Sequence, residues 1–355
     1  MKSRQEQFSG TRDTLEAHQF DPDPLQEYML SHVEGFHGPL TVRQFRGGQS
    51  NPTYLLESPS GKYVLRRKPP GKLLKSAHAV DREYRVISAL YAADFPVPRP
   101  YVLCKDEEIV GTMFFIMEFV EGRIFWDLDL PDSDPGERRA IYEHANQTIA
   151  DLHNFDYEQI GLSDFGKPGN YFARQISRWS KQYAASETSK ITAMNKLIEW
   201  LPSNIPDDES ATVVHGDYRL DNMIIHPTEP RIIAVLDWEL STIGHPLGDF
   251  TYHLTAWQLP EIGIGSTGLQ GKDLEALGIP SEEEYVALYC AKTGRDDGVA
   301  NRDFYSAYNF FRIAAILQGI AGRVRDGTAA SVHAERAANA VAPLASLGWE
   351  YAQNA

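Results

Sequence analysis

Only two cysteines, Cys104 and Cys290, occur in 355 residues. They are too few for a disulfide framework and lack the spacing of a metal-ligand set. No uninterrupted apolar run approaches the roughly 18 to 20 residues that a membrane span needs. The first ten residues are polar and lack the apolar core of a signal peptide. These absences predict a reduced, cytoplasmic protein with no membrane partner. Positive charge is also short: 34 Lys and Arg stand against 49 Asp and Glu, a net charge of -15. Phosphate backbones demand Lys/Arg patches, so nucleic acid is not expected as a partner. A phosphorylated ligand remains open, because it needs only one local cluster of cations or metal ions. The acidity suits a cationic substrate, and equally suits plain solubility. No repeat and no low-complexity segment interrupts the chain.

What is present is ordinary globular composition, 42% hydrophobic and 23% charged. The length allows two lobes with cores of their own. Residues 1 to about 20 read as frayed. Strand-like runs follow at Leu40–Phe45, Thr53–Glu57 and Lys62–Arg67, the last after a Ser-Gly turn. Ser76–Ala93 reads as a helix, with Val80, Tyr84, Ile87 and Tyr91 on one face. Pro96, Pro98 and Pro100 end it. Strands are expected again at Tyr101–Cys104 and Thr112–Phe119. Beyond Glu121-Gly122, helices take over: Gly136–His153, capped by Asp134-Pro135, then Tyr171–Ala185, Ile191–Leu201, Glu282–Thr293, Asp303–Arg325 and Ala334–Trp349. One β interlude breaks them, with short runs at Thr212–Val214, Asn222–His226 and Arg231–Leu236.

That interlude carries the chemistry. His215-Gly216-Asp217-Tyr218-Arg219-Leu220-Asp221-Asn222 is followed, at the exit of the next strand pair, by Leu236-Asp237-Trp238-Glu239. Each residue alone reads as a turn or a cap. The joint pattern HxDxxxxN, a hairpin, then Asp after an apolar strand, has the spacing of kinase catalytic and metal loops. Phosphoryl transfer leaves the protein mostly positioning and charge neutralisation. One carboxylate must take the proton of the attacking hydroxyl, and Asp217 is the candidate. An amide oxygen and a second carboxylate must hold Mg2+ on the phosphates, and Asn222 and Asp237 are the candidates, since Mg2+ prefers hard oxygen ligands.

These residues resemble the aminoglycoside-phosphotransferase and choline-kinase superfamily, over roughly residues 30 to 325. Two longer strings, Ser241-Thr242-Ile243-Gly244-His245-Pro246-Leu247-Gly248-Asp249 and Arg66-Arg67-Lys68-Pro69-Pro70-Gly71 with His78 to Tyr84, are similar to the kinase-like domain that some proteins carry fused to an acyl-CoA dehydrogenase. No dehydrogenase domain is read in this sequence. The resemblance implies an α+β, bilobal protein-kinase-like fold. It implies a flexible tail at 1–20, a β-rich nucleotide-binding lobe at 21–117, a hinge at 118–122, and a larger helical lobe at 123–355. ATP and Mg2+ are the implied cofactors, and a nucleotide and a small hydroxylated acceptor the implied partners. Arg66 stands where kinases keep the phosphate-contacting Lys, and Arg67 and Lys68 stay open as the true contact. Alternate strand residues face opposite sides, so Arg66 and Lys68 share a face. Glu83 is the candidate partner of Arg66. Gly48 and Ser50 occupy the place of a phosphate loop, though the pattern is not G-x-G-x-x-G. Glu118 and Phe119 would offer backbone groups to an adenine. Asp249 and His215 are read as braces of the catalytic loop.

The sequence departs from protein kinases at Gly216, where they keep an arginine, and in lacking an A-P-E segment. Both favour a small-molecule acceptor. The resemblance implies a hydroxy acid or hydroxyacyl-CoA; the alternatives are an aminoglycoside or choline-like amine, or a catalytically silent nucleotide-binding module.

Overall fold

The computed structural model describes residues 9–46, 51–69, 79–260, 268–326 and 332–355. From the amino terminus the chain runs through β1 (Thr11–Arg12), α1 (Pro22–His32), β2 (Thr41–Phe45), β3 (Thr53–Ser58) and β4 (Gly61–Arg67). Then come α2 (Val80–Ala92), β5 (Pro100–Cys104) and β6 (Phe114–Glu118). Helices α3 (Pro135–Asn154), α4 (Tyr171–Ser186) and α5 (Thr192–Trp200) precede four short strands, β7 (Thr212–Val214), β8 (Met223–Ile225), β9 (Ile232–Val235) and β10 (Thr242–Gly244). The chain closes with α6 (Pro246–Gln258), α7 (Leu274–Leu277), α8 (Glu282–Thr293), α9 (Arg302–Arg325) and α10 (Val332–Asn354). The fold is α+β. Among the described residues no helix is long and apolar enough to cross a membrane.

The chain divides into two compact units. The first comprises Met1–Trp126, Glu158–Leu162 and Asp221–Ser241. Its sheet is antiparallel, in the order β1-β2-β3-β4-β6-β5. Strand alternation gives this sheet two buried faces. On one, Tyr54, Leu56, Tyr63, Leu65, Phe114 and Ile116 pack with Leu25 and Met29 of α1. On the other, Phe115 meets Tyr84 of α2, ring centroids 5.9 Å apart. The same alternation sends Arg66 and Arg67 to opposite faces. Arg67 is a brace: Nε donates to the Tyr54 hydroxyl at 3.1 Å and Nη2 to the His18 carbonyl at 2.8 Å.

That brace corrects the expectation of a frayed stretch up to residue 20. Over residues 9–20 the chain is tied down, because Thr11 pairs with Phe45 and the His18 carbonyl accepts from Tyr54 and Arg67. A two-residue strand has no period to read. Helix α1 is also absent from the sequence reading, although Asp21 caps it and Pro22 opens it, both ordinary start signals.

The second unit comprises Asp127–Tyr157, Ser163–Leu220 and Thr242–Ala355. Strand β10 pairs with β7 beside α3 and α6. Helix α6 is buried along nearly its whole length. It has no polar face, so no amphipathic stripe announces it. His245 caps it, its Nδ1 accepting from the Leu247 N–H at 3.2 Å.

Gly122 admits a close backbone approach in the first unit. Arg123 exchanges two backbone hydrogen bonds with Ile225, at 2.7 and 2.8 Å. A Cβ at position 122 would lie 2.4 Å from the Ile225 carbonyl oxygen. The substitution Gly122→Ala is expected to lower unfolding stability by about 1–3 kcal/mol. Urea denaturation should show a lower midpoint with an unchanged slope.

Candidate active site

In the first unit the site is built around one buried guanidinium. Arg66 is only 7% exposed, and its Nε donates to Glu83 Oε2 at 2.8 Å. Its Nη2 donates to Asp237 Oδ1, and Glu239 Oε2 lies 3.7 Å from the same nitrogen. Glu239 also accepts from Asn51 Nδ2 at 3.1 Å, which ties in the end of the Gly-rich turn. The Arg66–Glu83 pair is therefore the one expected from sequence, and the alternation of β4 gives it to Arg66 rather than Arg67. Burial pushes Glu83 up to about 7, with Asp237 and Glu239 adding to the shift and Arg66 opposing it. Burial works against the charge on Arg66, but the three carboxylates outweigh it and raise its pKa further. Arg66 keeps its charge, as guanidinium does in proteins.

Asp237 sits at φ 66° and ψ 59°, in the left-handed region. Such a backbone costs a non-glycine residue on the order of 1–2 kcal/mol, less for Asp, and is often found where function demands it. The following turn holds it in place: Trp238 is buried, and its Nε1 donates to the Val235 carbonyl at 2.9 Å. The Leu236 N–H donates to the Asn222 carbonyl at 2.8 Å. The β8–β9 hairpin thus brings Asn222 and Asp237 to one end. Among the described residues no group of three or more His, Cys, Asp or Glu is arranged to hold a metal alone.

Gly48 and Ser50 lie outside the described residues. Glu118 ends β6; its N–H donates to the Arg99 carbonyl at 2.8 Å, and its Oε2 accepts from the Arg99 N–H at 3.2 Å. The Phe119 ring stacks on Phe45 with centroids 6.4 Å apart.

In the second unit the loop after β7 is held by a buried carboxylate. Asp249, on α6, accepts from the His215 N–H at 2.7 Å and the Gly216 N–H at 2.8 Å. His153 Nε2 lies 3.4 Å from Oδ2, the oxygen that accepts from the His215 N–H. Burial works to raise Asp249, but His153, His215 and the backbone donor outweigh it and hold it below the ordinary value. His215 turns its Nδ1 to the Asp217 N–H at 3.1 Å. Both residues are braces, as the sequence reading has them. Gly216 takes φ 84°, a conformation that favours glycine.

Asp217 is held by a residue the sequence reading missed: the Tyr252 hydroxyl donates to its Oδ1. Arg312 is the other omission. Its Nη2 donates to the Gly216 carbonyl, and its guanidinium sits 5.0 Å from the Tyr252 ring centre. Burial works to raise Asp217, but Arg219, the Tyr252 hydrogen bond, His215 and Arg312 hold it below the ordinary value. It is thus a carboxylate at neutral pH, able to accept a proton.

With this geometry described, similarity decides the family. The model of the phosphotransferase enzyme family matches residues 41–271, well over half of the chain. The chain belongs to that family. This phosphotransferase is 46% identical over 351 residues to acyl-CoA dehydrogenase family member 11 of Rattus norvegicus, across 95% of this chain but 44% of the relative. It thus spans less than half of that relative's length. A Ralstonia eutropha crystal structure, provisionally described as an aminoglycoside phosphotransferase, is 52% identical at TM-score 0.86, covering 95% of this chain and 99% of that one. Choline kinase from Cryptosporidium parvum, at 12% identity, TM-score 0.63 and coverage of 94% and 95%, shares the fold. The fold is kinase-like.

The Asp249 brace makes a pH prediction. A carboxylate depressed in the fold contributes stability that is full above its ordinary value and lost as pH falls through the lower folded one. Asp249→Asn should cost about 1–3 kcal/mol at neutral pH. Denaturant melts at stepped pH should show this gap narrowing below the ordinary carboxylate value of 3.8.

Proposed function

We propose that this phosphotransferase moves the γ-phosphate of ATP onto the hydroxyl of a small molecule, a hydroxy acid or hydroxyacyl-CoA. The carrying observation is that each unit holds one prepared group. One is an ionised, braced Asp217. The other is a guanidinium, Arg66, surrounded by carboxylates that carry more negative charge than it cancels.

That surplus charge suits a divalent cation. Glu83, Asp237 and Glu239 surround Arg66, and Asn222 adds an amide oxygen at the hairpin end. With no all-protein cage among the described residues, the remaining ligands would be water and phosphate oxygens, the usual manner of Mg2+. Asn222 and Asp237 would hold it, and when bound it would neutralise charge on the phosphates. Arg66, oriented by Glu83, would meet the phosphates of the nucleotide. The backbone near Glu118 and Phe119, and the turn containing Gly48 and Ser50, would cradle its adenine and phosphates. Asp217 would accept the proton of the attacking hydroxyl. In lobe terms, residues 21–117 would bind nucleotide, 118–122 would act as hinge, and 123–355 would supply the catalytic and metal loops.

The acceptor class is supported by the relative named for acyl-CoA chemistry, of which this chain matches a part. A hydroxyl bound to phosphate becomes a leaving group, a useful product for such a substrate.

Asp217→Ala is expected to lower kcat by a hundredfold or more, as loss of a positioned base predicts. Phosphate transfer with ATP and Mg2+ should be measured across hydroxyacyl-CoAs, aminoglycosides and choline-like amines. If nucleotide binds, nothing is phosphorylated, and the variant matches wild type, the protein is a nucleotide-binding module instead. Tyr252→Phe gives a second check. It removes a donor to the ionised carboxylate, so the pKa of Asp217 should rise. The acidic limb of the kcat/KM profile should move to higher pH.

A further inference from the structure

Helix α4 is amphipathic in an unusual way. Phe172, Ile176, Trp179 and Tyr183 bury one face. Beside it runs a stripe of Arg174, Arg178 and Lys181, with Ser177 between them. These residues, with Asn170 and Ala173, line an open groove of about 770 Å3 in the second unit. In a chain of net charge -15, three cations within two turns stand out.

The stripe works against helix stability. Like charges at i,i+4 and i,i+3 repel, and cations near a helix amino terminus oppose its dipole. Among the described residues none of the three forms an ion pair with a carboxylate. Arg174 is instead fixed by carbonyls, its two terminal nitrogens donating to Gly169 and Lys167. Three cations aligned on a groove, without a carboxylate to neutralise them, await an anion.

The groove is two side chains from the catalytic loop of its own unit. The Arg178 guanidinium lies 5.1 Å from the Trp179 ring centre, and Arg312 lies 5.9 Å from the same ring. Arg312 in turn bonds the Gly216 carbonyl and covers Tyr252, the partner of Asp217. Arg312 and Trp179 thus link the groove to the loop that carries Asp217.

We propose that the α4 groove binds the phosphate groups of an acyl-CoA-class acceptor, with Arg178 and Lys181 as the exposed cations and Arg174 as the one fixed by carbonyls. This rests on the hydroxyacyl-CoA reading of the acceptor and assigns the residues that would select it. A multiply charged phosphate carrier matches a row of cations better than a free hydroxy acid, which offers one carboxylate. Arg also pairs with phosphate oxygens in bidentate fashion.

The test is binding of coenzyme A itself, without nucleotide or turnover, to wild type and to Arg178→Glu/Lys181→Glu. Arg178→Met/Lys181→Met serves if charge reversal disturbs the fold. Calorimetry should show coenzyme A weakened by about tenfold or more in the variant, with an affinity in wild type that falls as salt rises. Pantetheine, which lacks the phosphates, should bind both proteins alike. Unchanged coenzyme A affinity in a variant with a native melting temperature overturns the assignment. So does an equal loss of ATP affinity, which would make the groove a nucleotide site. If coenzyme A responds as expected but no hydroxyacyl-CoA is phosphorylated, the groove stands and the catalytic reading falls.

Discussion

The guanidinium of Arg66 is the constraint around which the first unit is arranged. It is almost fully buried, and a buried charge is tolerated only when partners surround it. Those partners come from distant parts of the chain: Glu83 on α2, Asp237 after β9 and Glu239 in the next turn. The arginine therefore pulls a helix and a hairpin onto one face of the sheet. It also leaves more carboxylate than it neutralises. A stable structural ion pair would be balanced; this one is not.

The second unit solves the matching problem with an anion in the buried position. Asp249 receives the backbone of His215 and Gly216, and its own charge is kept, against burial, by His153, His215 and the backbone donor. The loop that follows β7 is thus held by its backbone. Tyr252 and Arg312 then act on that side chain and its neighbour, Gly216. A hydroxyl donor and nearby cations keep Asp217 ionised despite burial. A buried carboxylate needs such help to stay charged, since burial alone would protonate it.

Much of the fold was legible from local signals. Strands β2 to β4 are short runs set off by turns, α2 carries an apolar stripe, and α3 has a cap and a proline at its start. What was missed has a physical reason in each case. Helix α6 is buried on every side and shows no period. Strand β1 is too short to have one. Helix α1 had its start signals but little apolar content to extend them. Asp217, Asn222 and Asp237 were singled out as candidates because their spacing lies within one stretch of chain. Tyr252 and Arg312 were not, because each meets the loop from a remote helix and belongs to no short motif.

By itself the sequence determined which chemistry the chain is equipped for. The HxDxxxxN spacing, the hairpin and the following Asp are covalent facts, fixed before any folding. It also offered three adjacent basic residues, Arg66, Arg67 and Lys68, as candidates. Tertiary structure separated the first two, because the pleat of β4 sends Arg66 to Glu83 of α2 and Arg67 to the opposite face, where the His18 carbonyl and the Tyr54 hydroxyl receive it. It decided too which groups tune Asp217, and that three cations of α4 line a single groove. Those outcomes depend on contacts between residues tens to nearly two hundred positions apart, and no local pattern encodes a partner at that separation.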